Sequence, residues 1–328
     1  MNFCLKQPNT VQPAITLAIA FTLCASSAFA QLSGKPVQMI SGYPPGGNVD
    51  VLARLFGEKL GEALGRPVVV VNRAGAGGQI GLEAVKAAAP DGNTLIVTPD
   101  SSLVLRPLTM KDPPYHPLKD FAAVAHAGAQ DYVFAVGGNI PAKDLREFAT
   151  WAKANPTQAN FGAGQGGSTH LIGIMIGDAI GVPLQAIPYN GSGPAVTALL
   201  AGQIAATVQP LGTVIAQAQA GKIRFIATTG IKRAPESPNT PTMGELGHAA
   251  LTVSSWFGIF APAGTPTEIV SQLNSIFQKA ARTESMKERL HKLGLDVREM
   301  NPTQLTSLVK ADYERWAPVI KSSGFTMQ

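Results

Sequence analysis

Cysteine is almost missing from this chain of 328 residues, which carries Cys4 and Cys24 and no other. Both fall within the first thirty positions, so a disulfide framework for the body of the protein is excluded. Charge is sparse too, at 14% of residues with a net +5, and no stretch interleaves Lys and Arg with aromatics. A footprint for nucleic acid is therefore lacking. The five histidines, His116, His126, His170, His248 and His291, show no metal-ligand spacing, and no His-Glu-x-x-His occurs. Beyond the N-terminus no apolar run reaches the ~18 residues that a membrane helix requires. Glycine and proline are plentiful instead, 34 and 25 residues without a collagen-like period, in a chain 45% hydrophobic. This composition describes a loop-rich globular protein long enough for two ordinary domains.

Residues 1–30 carry Lys6, an apolar stretch from Val11 to Cys24, and Ala28-Phe29-Ala30 before the polar Gln31. That layout predicts a secretory signal cleaved near Ala30, with an apolar segment too short to remain as a membrane span. Lipid attachment at Cys24 is the alternative, but Leu23 precedes it where a small residue is wanted. Cleavage removes both cysteines, leaving a secreted protein held together by its core alone, which a chain of about 300 residues can do.

The rest alternates between apolar runs and helical stripes. Strands are predicted at 37–41, 68–71 and 94–98, with helices opened by Asn48 and lying near 82–89 between them. The stretch 107–117 holds four prolines and is expected to continue neither element. Further strands are read at 132–136, 184–188, 204–208, 223–228 and 253–260, and helices at 141–154, 168–180 and 194–200. The C-terminal part reads as helix, with capping boxes at Thr265-Pro-Thr-Glu268 and Asn301-Pro-Thr-Gln304. The expected fold is α/β: two lobes, each a mostly parallel sheet flanked by helices, with a ligand cleft between them. One lobe takes residues 31–130 plus 252–328 and the other 131–251.

Several chemistries fail on these residues. Ser168 has Gly166 two positions before it but His170 two positions after it, so the Gly-x-Ser-x-Gly elbow of a hydrolase is broken. Gly162-x-Gly164-x-x-Gly167 fits a dinucleotide fingerprint after a strand and before a helix, yet the strand that should end in a ribose-binding acid ends in Tyr189-Asn190. Gly75-x-Gly77 has Ile80 in place of the third glycine. A different reading remains. The turns 43–47 and 162–167 each bring backbone N–H groups to a helix N-terminus on a different lobe, which makes a two-sided clamp for a small anion. The bland alternative is that both are plain strand-to-helix turns, and that Asp50 merely compensates a helix dipole.

The run Gly42-Tyr-Pro-Pro-Gly-Gly-Asn-Val-Asp-Val-Leu-Ala-Arg54 resembles the first loop and helix of Bug-type solute receptors, the substrate-binding subunits of tripartite tricarboxylate transporters. So do Val70-Val-Asn-Arg-Ala-Gly-Ala-Gly-Gly-Gln-Ile-Gly81, Gly167-Ser-Thr-His-Leu171, Pro188-Tyr-Asn-Gly191, Leu200-Ala-Gly-Gln203 and Ser255-Trp-Phe-Gly258, in the family's order. The resemblance covers about residues 35–328. It implies a periplasmic, monomeric, two-lobed receptor without cofactor or enzymatic activity, which closes on a small carboxylate and docks transiently on an integral membrane permease. It also implies ligand contacts from Tyr43, Pro45, Gly46, Gly47 and Asp50 in the first loop, from Gly164, Ser168, Thr169 and His170 in the second, and from Thr98, Ser101, Tyr189 and Asn190. Gln209 stands where the family often has an acid, which makes an amino-acid ligand less expected. A periplasmic hydrolase, or a nucleotide-cofactor enzyme built on 162–167, is the alternative.

Overall fold

The computed structural model describes Met1 and residues 34–164, 167–189 and 191–323. The predicted signal, Cys24 and Asn190 lie outside the described residues. The elements in chain order are β1 (Val37–Ser41), α1 (Asn48–Leu64), β2 (Val68–Asn72), α2 (Gln79–Lys86), β3 (Thr94–Pro99) and the short helix α3 (Arg106–Leu108). Then come β4 (Phe121–Gly137), α4 (Leu145–Ala154), β5 (Asn160–Ala163), α5 (Ser168–Ile180), β6 (Gln185–Pro188), α6 (Ser192–Leu200), β7 (Ala206–Pro210), α7 (Leu211–Gln219) and β8 (Ile223–Thr228). The chain finishes with β9 (Ser254–Pro262), α8 (Thr267–Ala281), α9 (Glu284–Lys292) and α10 (Pro302–Ser323).

The strands run in the order β2-β1-β3-β9-β4-β7-β5-β6, with β8 also paired to β4. The outer runs β2-β1-β3 and β7-β5-β6 are parallel, as βαβ crossovers require, whereas β9 and β4 join them antiparallel. Strand β4 has 17 residues, far longer than the 132–136 read from sequence. Its first part, Phe121 to Asp131, pairs with β9, and its last part, Tyr132 to Gly137, pairs with β7 and β8. Alanines and glycines dominate residues 122–129 and blur the apolar alternation on which a strand reading depends.

Helices α1 and α8 cover one half of the sheet, where Phe56 and Phe277 meet edge to face at 5.7 Å over Met39, Leu95 and Ile259. Helix α10 places Leu305, Val309 and Trp316 in the core shared by β4, α5 and the segment after β3. The Asn301 box forms as read: Asn301 Oδ1 accepts from Gln304 N–H at 2.8 Å, while Gln304 Oε1 accepts from Asn301 N–H at 2.9 Å.

Other boundaries differ from the reading. Helix α4 starts at Leu145, not Pro141, because the Asp144 carboxylate accepts from Glu147 N–H (2.8 Å) and fixes the first turn there. The Thr265 box does not form, since the Thr265 hydroxyl donates to the Pro262 carbonyl (2.8 Å) and α8 begins at Thr267. The proline stretch opens with the helical turn α3, which Pro107 tolerates at its start. Helix α7 went unread: it starts directly after β7, between Pro210 and Gly212, residues that read as a turn and not as a helix start.

Candidate functional site

The first loop is built around Asp50. This buried carboxylate accepts from Gly46 N–H (3.0 Å), from Arg54 Nε and Nη2 (3.0 Å each) and from Asn72 Nδ2 (2.8 Å). Burial alone would raise its pKa, but the bonds from Arg54, Gly46 and Asn72 outweigh this and hold it at about 2. Asn72 Nδ2 also donates to the Tyr43 carbonyl at 3.0 Å, so Asp50 and Asn72 clamp the loop from below. Four hydrogen bonds from three residues make Asp50 the holder of the loop.

Tyr43 is fixed as well. Ser102 donates to the Gly77 carbonyl (2.7 Å) and lies 2.7 Å from the Tyr43 hydroxyl, which ties the tyrosine to the Gly-rich turn at 75–78. That turn serves close packing: a Cβ on Gly42 would stand 2.8 Å from the Gly78 Cα. The backbones of the two turns meet there, and only glycine permits it.

Across the sheet, the Gly164 N–H donates to Thr169 Oγ1 (3.2 Å) and the Gly167 N–H to the Gly164 carbonyl (3.2 Å). Gly162 packs within β5, where a Cβ would stand 2.5 Å from Ile204 Cδ1. The glycines of the apparent dinucleotide fingerprint are thus engaged in packing and in bonds within the loop. The first amides of α5, those of Ser168 and Thr169, have no acceptor within the helix. His170 turns its ring toward Phe161, at 6.3 Å between centroids, and burial lowers its pKa.

Two cavities meet between these loops. One, of about 310 Å³, is lined by Tyr43, Gly47, Asn48, Val49, Ser101 and Ser255 among others. The other, of about 660 Å³, is lined by Ser101, Tyr132, Gly164, Ser168, Thr169 and Tyr189 with their neighbours. Ser101 belongs to both, so they form one cleft. Among the described residues neither wall carries a charged side chain. Helix α1 points its N-terminus at the smaller half and α5 at the larger, each supplying first-turn amides that have no acceptor within the helix and the positive end of a dipole. Such a cleft can hold an anion by hydrogen bonds and offers a bound molecule no acid or base on its lining.

Of the predicted residues, Tyr43, Gly47, Ser101, Gly164, Ser168, Thr169 and Tyr189 come together on this cleft. Pro45 and Gly46 sit on the exposed rim of the first loop. Thr98 is buried inside β3 opposite Gly258, and Gln209 is buried in β7 with its amide donating to Thr207 Oγ1 (2.8 Å). Sequence reasoning did not single out Tyr132, Gln130, Ser192 or Ser255, which also line the cleft. They lie in strands or at a helix start, where local pattern carries no sign of a site. Among the described residues no group of three or more His, Cys, Asp or Glu could hold a metal ion, and no helix is long and apolar enough to cross a membrane.

Residues 52–325 match the model of the tripartite tricarboxylate transporter family receptor. The chain belongs to that family. It is 34% identical over 292 residues to protein BugT of Bordetella pertussis, covering 88% of this chain and 90% of that one. Among solved structures, MatC of Rhodopseudomonas palustris with bound malate superposes with a TM-score of 0.70 at 30% identity, over 87% of this chain and 98% of that one. A second R. palustris protein, solved with adipate, gives 0.73 at 29% identity, over 89% and 98%. The family and these neighbours are solute-binding proteins, so this receptor is a binding protein and not an enzyme, and the hydrolase and cofactor-enzyme alternatives fall away.

Proposed function

We propose that the receptor captures a small organic carboxylate in this cleft and delivers it to a tripartite tricarboxylate-type membrane permease. The observation that carries the reading is the convergence of the α1 and α5 N-termini on one uncharged cleft whose two halves share Ser101. A carboxylate gains charge-assisted hydrogen bonds there from amides and hydroxyls, and closure removes competing water. The malate and adipate bound by relatives make dicarboxylates the first acids to test.

In this reading residues 31–130 with 252–328 form one lobe and 131–251 the other. Strand β4 crosses between them at Asp131–Tyr132, where its pairing changes from β9 to β7 and β8. A ligand touching both helix ends favours the closed arrangement, and that arrangement reports occupancy to the permease. The mature receptor is a periplasmic monomer, released by cleavage near Ala30.

Mass spectrometry of ligand released from gently purified protein, followed by a thermal-shift panel of mono-, di- and tricarboxylates, tests this. The expected hit carries at least one carboxylate and raises Tm with the logarithm of its concentration. Release of a non-acidic ligand, with no acid shifting Tm, would overturn the reading.

A further inference from the structure

Directly behind the cleft lies an acid that the binding scheme leaves unused. Asp100 follows β3, is 3% exposed, and accepts from the Ser255 hydroxyl at 3.0 Å. The amides of Ser101 and Trp256 also donate to it. Ser255 lines the cleft, and its hydroxyl neighbours that of Tyr132, which in turn neighbours Ser168. Hydroxyls thus line the way from the buried carboxyl to both halves of the cleft.

A hydroxyl has one proton to give. While Asp100 is ionised, the Ser255 proton points inward to it, and the cleft sees only a lone pair beside a buried negative charge. With a proton on Asp100, the carboxyl donates to Ser255, and the Ser255 proton turns outward, to an anion or through Tyr132.

We propose that Asp100 is a proton-linked positioning residue, so that capture of a carboxylate in the cleft is accompanied by uptake of one proton at Asp100. This rests on the anion reading above. The surroundings fit: burial, and then the Asp312 carboxyl on α10, raise Asp100 to about 7. Tyr132 from β4 and Tyr43 from the first loop face it as neutral phenols, both raised by burial. Asp312 is itself raised by burial; it accepts from Trp256 Nε1 at 2.6 Å and has Arg315 at 3.8 Å. A bound anion adds negative charge near Asp100 and favours its protonated form further.

The test is calorimetry of malate and adipate binding from about pH 6 to 9, in paired buffers of different ionisation enthalpy. Wild-type protein is expected to take up close to one proton per anion above about pH 8, with affinity falling roughly tenfold per pH unit there. D100N, whose amide donates to Ser255 permanently, keeps tight binding with a flat pH profile. S255A, which removes the hydroxyl between Asp100 and the cleft, binds more weakly and with a shallower slope, and it serves if D100N does not fold. Proton-neutral binding in the wild type, or an unchanged slope in the variants, overturns the inference and leaves the anion reading standing. Failure of both acids to bind at every pH overturns the dicarboxylate reading and this inference with it.

Discussion

Replacing Asp50 by Asn keeps the size of the side chain and removes the charge that organises the first loop. Holding this carboxyl at about 2 instead of the ordinary 3.8 corresponds to roughly 2 kcal/mol of stability at neutral pH. The Arg54 partner is 53% exposed, so solvent screens its share and the expected loss is between about 1 and 2 kcal/mol. The sign follows from the direction: a depressed carboxyl stabilises the fold above its unfolded value, and that contribution disappears as pH falls from about 4 toward 2. Urea unfolding followed by circular dichroism should show D50N with a lower midpoint and unchanged m at pH 7, the gap narrowing steadily below about pH 4. Anion affinity should weaken with it, because Gly46 and Gly47 lose the group that fixes their amides. Equal stability at pH 7, or a gap that persists undiminished in acid, would refute the reasoning.

Two further outcomes concern the cleft and the buried acids. Ser168→Ala and Gly47→Leu should each weaken carboxylate binding at least fivefold in calorimetry while leaving Tm of the empty protein nearly unchanged; at Gly47 the nearest atom to an added Cβ is the Pro44 carbonyl oxygen at 3.9 Å, so the backbone tolerates the change. Unaltered affinity in both variants would remove them from the site. Trp256→Phe should destabilise by roughly 1–3 kcal/mol in chemical denaturation, with the loss growing as pH rises and Asp312 ionises, because this buried carboxylate loses its indole donor. A loss independent of pH would show that packing alone is responsible.

Much of the architecture was legible locally. The parallel runs β2-β1-β3 and β7-β5-β6 announce themselves through short apolar runs, glycine turns and amphipathic helices, and the Asn301 box forms as its spacing demands. Local pattern fails where tertiary pairing overrides it. The first half of β4 is an Ala-rich segment that becomes strand because β9 lies alongside it, and the Thr265 hydroxyl turns back to Pro262 instead of capping α8.

The site divides in the same way. The glycine-rich turns and the helices that follow them were written in consecutive residues, and so was the family resemblance, because both are properties of short continuous stretches. That Asn72 joins Asp50 beneath the loop, that Gly162 packs on Ile204, and that Ser255, Tyr132 and Asp100 gather behind Ser101 depends on residues from 22 to 155 positions apart. Sequence alone determined which segments can supply amides to an anion. Tertiary structure decided which hydroxyls meet them and where a buried carboxyl lies, because hydrogen bonds and desolvation act through space and leave no periodicity along the chain.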